Sequence, residues 1–253
     1  MKKVFCFFWF LMCITAILLP FGCDKDETPP EIPTLTDIDG NEYPILQIGD
    51  QWWMAENLRV TRYRDGDNIP TGLDNADWQD TKSGAYAVYP HDNVDGIDSE
   101  AEMLVKYGAL YNWYAVIDQR GLCPVGWSVA SDDDWKQLEM HLGMSEEDAN
   151  KINWRGAPVG GKMKAPLTLP LLHPRWNSSG EDVTNESEFS GLPAGTRGSV
   201  ATFHSIGSHS HWWISAEYND DNAWSRALRH DLSGVFKGHY RKSVGFSIRC
   251  IKN

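Results

Sequence analysis

Of the five cysteines in this chain, two constrain its fold most: Cys123 in Leu122-Cys123-Pro124-Val125-Gly126-Trp127 and Cys250 in Val244-Gly245-Phe246-Ser247-Ile248-Arg249-Cys250. Cys6 and Cys13 lie within an apolar N-terminal run and Cys23 follows it, so only these two belong to the polar body. In an oxidising compartment two such residues most simply pair; the alternative is two free, buried thiols acting as small apolar side chains. Val244, Phe246, Ile248 and Cys250 alternate with Gly245, Ser247, Arg249 and Ile251, which predicts a strand with Cys250 on its apolar face. A bridge from there would tie a late strand to the middle of one domain.

The N-terminus argues for that compartment. Lys2 and Lys3 precede an apolar run over residues 4–19, followed by Pro20-Phe21-Gly22-Cys23. A spanning helix needs about 20 apolar residues. This run stops at Pro20, so the pattern favours an export signal over a transmembrane anchor. It resembles a bacterial lipoprotein signal, with Gly22 before the acceptor Cys23 and Pro20 where leucine is usual. On that reading residues 1–22 are removed and acyl chains on Cys23 hold the protein to a membrane. Residues 23–33, acidic and proline-rich, read as a flexible tether. The acids after Cys23 resemble the surface-export signal of Bacteroidetes lipoproteins, and a solvated linker explains them equally. The expected location is the cell envelope, anchored by lipid in the outer membrane and facing either the periplasm or the surface.

Charge narrows the partners. The formal charge is −12 for the whole chain and −14 once Lys2 and Lys3 leave with the signal. An acidic body repels phosphate backbones and anionic lipid, so neither nucleic acid nor direct membrane contact is expected beyond the anchor. Residues 34–253 suffice for one large domain or two small ones.

Two helices are predicted. Ser131-Asp132-Asp133-Asp134 supplies an N-cap with an acid at N3, and Trp135, Leu138 and Leu142 follow at helical spacing up to Gly143. Ser145-Glu146-Glu147-Asp148 repeats the cap before a short helix to about Asn153. Residues 35–38, 43–48 and 51–54 read as a small meander around Asp39-Gly40 and Gly49-Asp50. Segments 211–216, 223–230 and 243–251 predict a C-terminal antiparallel meander with residues 219–222 as an exposed turn. Between them, residues 154–211 are rich in Gly, Pro and Ser, and a long irregular stretch of this kind usually carries function.

A series of motifs then gives a family resemblance. In order they are Asp39-Gly40-Asn41-Glu42-Tyr43, Trp53-Met54-Ala55-Glu56-Asn57-Leu58 and Tyr107-Gly108-Ala109-Leu110-Tyr111-Asn112-Trp113. Cys123-Pro124-Val125-Gly126-Trp127, Phe189-Ser190-Gly191-Leu192-Pro193-Ala194-Gly195 with Arg197, Trp212-Trp213-Ile214-Ser215-Ala216-Glu217 and Gly245-Phe246-Ser247-Ile248-Arg249-Cys250 complete it. The chain resembles the Fibrobacter major paralogous domain (FISUMP) family of exported and lipid-anchored proteins over roughly residues 34–253, as a single domain. That family is similar to the C-type lectin-like fold and to the formylglycine-generating enzyme group. The resemblance implies an α+β fold with antiparallel sheets, two short helices and a long irregular loop region bearing the site.

Three functions follow as expectations. The first is non-covalent binding of a glycan or protein at the bacterial surface, the second a structural or adhesin role in surface appendages or matrix, the third a divergent enzyme of the formylglycine group. Oxidases of that group use a cysteine pair close in sequence, which Cys123 and Cys250 are not. Gly-x-Ser-x-Gly is absent and no carboxylate pair stands out, so no catalytic residue is assigned. His204, His209 and His211 offer imidazoles suited to zinc or copper, but equally form a polar loop. C-type lectins hold Ca²⁺ through Glu-Pro-Asn or Gln-Pro-Asp, neither of which occurs; the nearest approach is Glu217 with Asn219, Asp220, Asp221 and Asn222, which reads first as a hairpin turn. No cofactor is expected.

Aromatic content is the stronger lead for binding. Eleven of the twelve tryptophans follow the signal, and indoles stack on sugar rings with the N–H left to hydrogen-bond. Trp53, Trp113, Trp127, Trp135 and Trp213 fall in motifs and read as core. Trp78, Trp154, Trp176, Trp212 and Trp224 are the candidates for a platform. Arg226 and Arg229, three positions apart, face opposite sides of a strand, serving either salt bridges across the meander or carboxylates of an acidic polysaccharide.

Overall fold

The first strands form where the sequence alternates and turn where an acid can hold the backbone. β1 (Thr34–Thr36), β2 (Glu42–Ile48) and β3 (Gln51–Met54) make an antiparallel meander. The buried Asp37 closes the first turn, accepting from the backbone N–H of Asp39 and Asn41 and from the Tyr43 hydroxyl at 2.7 Å. The computed structural model describes residues 33–167, 173–178, 180 and 182–253. The expected signal, the acylation at Cys23 and all of the tether but Pro33 lie outside these residues. Residues Ile32–Asn253 pack as one compact unit.

Along the chain follow α1 (Asn75–Asp80), β4 (Tyr86–Ala87), α2 (Glu100–Tyr107), β5 (Leu110–Tyr111), α3 (Trp113–Val116) and β6 (Trp127–Val129). Then come α4 (Asp132–His141), α5 (Glu146–Asn150), β7 (Asn153–Arg155), α6 (Val159–Met163), β8 (Ala194–Arg197) and β9 (Phe203–Ile206). The long strands β10 (His209–Glu217), β11 (Asn222–Arg229) and β12 (Val235–Arg241) precede the short β13 (Cys250–Lys252). The fold is thus α+β with mostly antiparallel sheets. α4 begins as its cap predicts: Ser131 Oγ accepts from Asp134 N–H, and the Asp134 carboxylate accepts from Ser131 N–H.

Three expectations are corrected. Six helices are described rather than two. α2, the longest after α4, is capped by Ser99, whose Oγ accepts from Glu102 N–H. α5 stops at Asn150, because Asn153 takes positive φ and opens β7. The third strand of the C-terminal meander is β12 and not residues 243–251. Those residues instead cross the molecule to place β13 in the other sheet, ordered β1-β2-β3-β13-β6, while β7-β12-β11-β10-β8-β9 form the second sheet.

That crossing segment explains its own alternation. Val244, Phe246, Ile248 and Cys250 belong to one apolar cluster, with Trp213, Tyr111 and Trp127. Ser247, Arg249 and Ile251, on the other side, are equally buried, and Ile251 belongs to a second cluster with Trp53, Trp135 and Trp212. A strand with one wet face was expected; both faces are dry. Cys250 forms the disulfide with Cys123, closing a sequence separation of 127 residues.

Arg249 is 1 % exposed, and its hydrogen bonds go to carbonyl and amide oxygens. Its Nε donates to Asn57 Oδ1 at 2.9 Å, Nη1 to the carbonyls of Met54 and Phe189 at 3.0 and 2.8 Å, and Nη2 to that of Ser190 at 3.3 Å. Trp212 Nε1 donates to the same Asn57 oxygen, and Asn57 Nδ2 donates to the Tyr107 carbonyl and to Ser247 Oγ. Burial pushes the guanidinium down to about 9 against the opposing charge of Glu56, so it stays charged at neutral pH while the surrounding oxygens accept from it. Around this joint Trp53, Trp135, Phe189 and Trp212 meet edge to face or tilted, with centroids 5.3 to 6.0 Å apart. Five of the seven sequence motifs therefore converge on one structural junction.

The second sheet packs one face against α4. Arg226 on β11 donates from Nε to Glu139 Oε1 at 2.7 Å, and Arg155 on β7 donates to Glu139 Oε2 at 2.7 Å. Asp132, at the start of α4, lies 3.0 Å from Arg226 Nη2 and 2.8 Å from Lys237 Nζ. Burial raises the Asp132 carboxyl, but Arg226, Lys237 and Lys136 outweigh it and bring it down to about 2. The opposite face of this sheet is left for the site.

Candidate functional site

Strand register builds a hollow on the open face of β7-β12-β11-β10. His209 lies opposite Arg229, His211 opposite Ala227, Ala227 opposite Phe236, and Phe236 opposite Trp154. Directly opposed residues share a face. Small side chains therefore sit in the middle, at Ala227, Ser225 and Gly238, with large ones around them. The Phe236 ring leans over Gly238, where a Cβ would come within 2.4 Å of it. The β8-β9 hairpin, with Thr196, His204 and Ser205, walls one side of a cleft of about 390 Å³.

Aromatic and imidazole rings form its surface. Trp154 and Phe236 meet with centroids 5.3 Å apart, and both are half-buried, as is Tyr240. His209, His211 and Phe246 form a parallel stack, 6.0 and 4.5 Å between successive centroids, and Tyr240 stands edge-on to both His211 and Phe246. The Arg229 guanidinium lies 5.6 Å from the Trp154 centroid.

Burial dominates the protonation of these rings. It pushes His211 down to about 3 and lowers His209 as well, Arg229 and His230 adding repulsion at His209. Both imidazoles are neutral at pH 7 and each can donate from one nitrogen and accept at the other. His211 is 8 % exposed, lines the cleft, and its buried Nδ1 has no hydrogen-bond partner among the described residues. A buried polar atom left so calls for a partner from solution.

The predicted site residues are divided by the fold. His204, His209 and His211 do come together at the cleft, yet the rings of His209 and His211 are stacked rather than convergent. Among the described residues no group of three or more His, Cys, Asp or Glu is arranged to hold a metal. Residues Glu217, Asn219, Asp220, Asp221 and Asn222 lie at the β10-β11 hairpin tip, away from the cleft lining. There Asn219 Oδ1 accepts from the N–H groups of Asp221 and Asn222, and Lys242 Nζ binds the Glu217 carboxylate and the Asp220 carbonyl. These oxygens already serve a turn, as their spacing suggested.

Three candidates are corrected. Trp176 is 1 % exposed, its Nε1 donating to the Gly191 carbonyl at 2.9 Å. Trp212 is fully buried in the aromatic junction, and Arg226 is fully buried against Glu139. None can reach a ligand, since all three are enclosed in the interior, Arg226 because β11 turns its even-numbered residues toward α4. Trp78 is fully buried too, under the Arg197 guanidinium. Trp224 is half-buried on the α4 side, beside an exposed Tyr218 stacked on His239 at 3.7 Å. Trp154 alone of the five tryptophans enters the cleft. Phe236, Tyr240 and Arg229 join it through register between strands, a relation that adjacent positions in a sequence do not display.

Comparison with known proteins adds one finding. The Fibrobacter succinogenes major domain (Fib_succ_major) matches residues 46–252. No curated protein and no solved structure matches the chain.

Proposed function

The chain belongs to the Fibrobacter succinogenes major domain family, and on that premise we propose that it is a lipid-anchored binding module of the bacterial cell envelope that recognises a glycan through the cleft on its second sheet. The domain is of the C-type lectin-like kind, with Ca²⁺-independent recognition. Acyl chains on Cys23 tether it to the outer membrane.

One observation carries this reading: half-buried aromatic faces at Trp154, Phe236 and Tyr240 surround a hollow whose buried His211 Nδ1 has no hydrogen-bond partner among the described residues. Sugar rings offer apolar C–H faces to aromatics and hydroxyls to polar atoms, which is the complement of this surface. The motifs support it indirectly, since they build the Arg249 junction and leave most of the cleft to residues outside them.

The test is retention of the full chain, purified in detergent, on a broad glycan array. Binding that Trp154→Ala abolishes is the expected result. Silence across the panel, or binding indifferent to Trp154, counts against the reading.

A further inference from the structure

The charges around the cleft narrow the ligand, an inference that rests on the cleft being the binding site. In a chain of formal charge −12, no Asp or Glu among the described residues lines it. Its one permanent cation is Arg229, and three imidazoles stand near: His204, His209 and His211.

We propose that the cleft takes an acidic saccharide, the pyranose face resting on Trp154 and Phe236 and the ring carboxylate held between Arg229 and His209.

Geometry places both contacts within one sugar residue. Arg229 and His209 are directly opposed across β10 and β11, a pairing that brings Cβ atoms to about 5 Å. The neutral His209 imidazole can offer an N–H donor to the same anion that the Arg229 guanidinium attracts. Asp231 takes only one edge of the guanidinium, accepting from Nε at 2.5 Å and Nη2 at 3.1 Å. Nη1 has no protein acceptor among the described residues and can donate a charge-assisted hydrogen bond to a second carboxylate. The guanidinium is also 5.6 Å from the Trp154 centroid. A hexuronate carries its carboxylate one bond outside the ring, so a sugar stacked on Trp154 directs that group at Arg229. His209 Nδ1 is engaged with Ser208 Oγ at 3.0 Å, which leaves Nε2 for the ligand.

The experiment compares oligogalacturonate and oligoglucuronate with their methyl esters, which keep ring and linkage but remove the charge, by titration calorimetry on the full chain in detergent. The free acid is expected to bind about tenfold or more tightly than the ester, the scale of one charge-assisted contact. Arg229→Gln is expected to remove most of the acid's advantage over the ester, and Trp154→Ala to abolish binding of both. A melting curve of each variant separates lost binding from lost fold. Equal affinity for acid and ester overturns the acidic preference but leaves the glycan cleft standing. If neither the uronates and esters nor any neutral glycan of the array binds, or if binding survives Trp154→Ala, the cleft reading falls with it.

Discussion

Arg226 and Glu139 form an ion pair, Nε to Oε1 at 2.7 Å, in which both side chains are wholly shielded from solvent, joining β11 to α4. Glu139 also neutralises Arg155. Removing its charge leaves two buried cations facing each other with Asp132 as the remaining anion in the network. Glu139→Gln is expected to cost about 3–5 kcal/mol. Urea unfolding at neutral pH measures this, and a midpoint within error of the wild type would refute the role assigned to the pair.

The disulfide makes a second prediction. Cys123 and Cys250 join β13 to the loop before β6 across 127 residues, and a loop of that length loses substantial entropy on closure. Reduction, or Cys250→Ser, is expected to remove about 2–5 kcal/mol. Thermal melts with and without reductant test this; thiol titration of the exported protein should find no free Cys123 or Cys250.

Two tryptophans should separate stability from binding. Trp212 is fully buried against the Trp135 and Phe189 rings and hydrogen-bonded to Asn57, so Trp212→Ala should cost about 3–5 kcal/mol. Trp154 is half-buried at the cleft and its replacement should cost far less. If chemical unfolding ranks them the other way, the division between core and cleft is wrong.

Much of this architecture is legible in the sequence, and the failures have a common cause. Strands β2, β3, β10 and β11 stand out as short runs between turn residues, and α4 announces itself by its cap. β12 does not, because Val235-Phe236-Lys237-Gly238-His239-Tyr240-Arg241 reverses the usual code: Lys237 is buried against Asp132 while Phe236 is left half-open in the cleft. Arg226 misleads in the same way, a cation on the dry side of its strand. Register, not composition, decides which residues are neighbours; the cleft draws on six strands, so no short window of sequence contains it. The Ser99 cap of α2, with Glu102 three residues on, was a readable signal.

Acid should weaken the domain through His211. Its folded value is held at about 3 by burial, against 6.5 in the unfolded chain. Below about pH 6.5 the unfolded chain takes up a proton that the native state refuses, so stability is complete above that pH and falls by up to about 1.4 kcal/mol per unit as pH drops toward the folded value. His209, also lowered, acts in the same direction. Urea midpoints at pH 7, 5.5 and 4.5 should decline more steeply for the wild type than for His211→Phe. Parallel slopes would remove His211 as the cause.

The position of β13 has a consequence for how the protein is made. Ile251 lies opposite Trp53 of β3 on one side and Ser128 of β6 on the other, so the last strand in chain order is an interior strand of the first sheet. During synthesis the β2-β3 hairpin and β6 each wait with an open edge until almost every other residue of the domain has emerged. Pairings so distant in sequence are slow to form. A product cut short before Cys250 is not a smaller version of the domain; it is a sheet with its middle missing and two unpaired edges, prone to aggregate or be degraded. Quality control of this protein is thus built into its strand order.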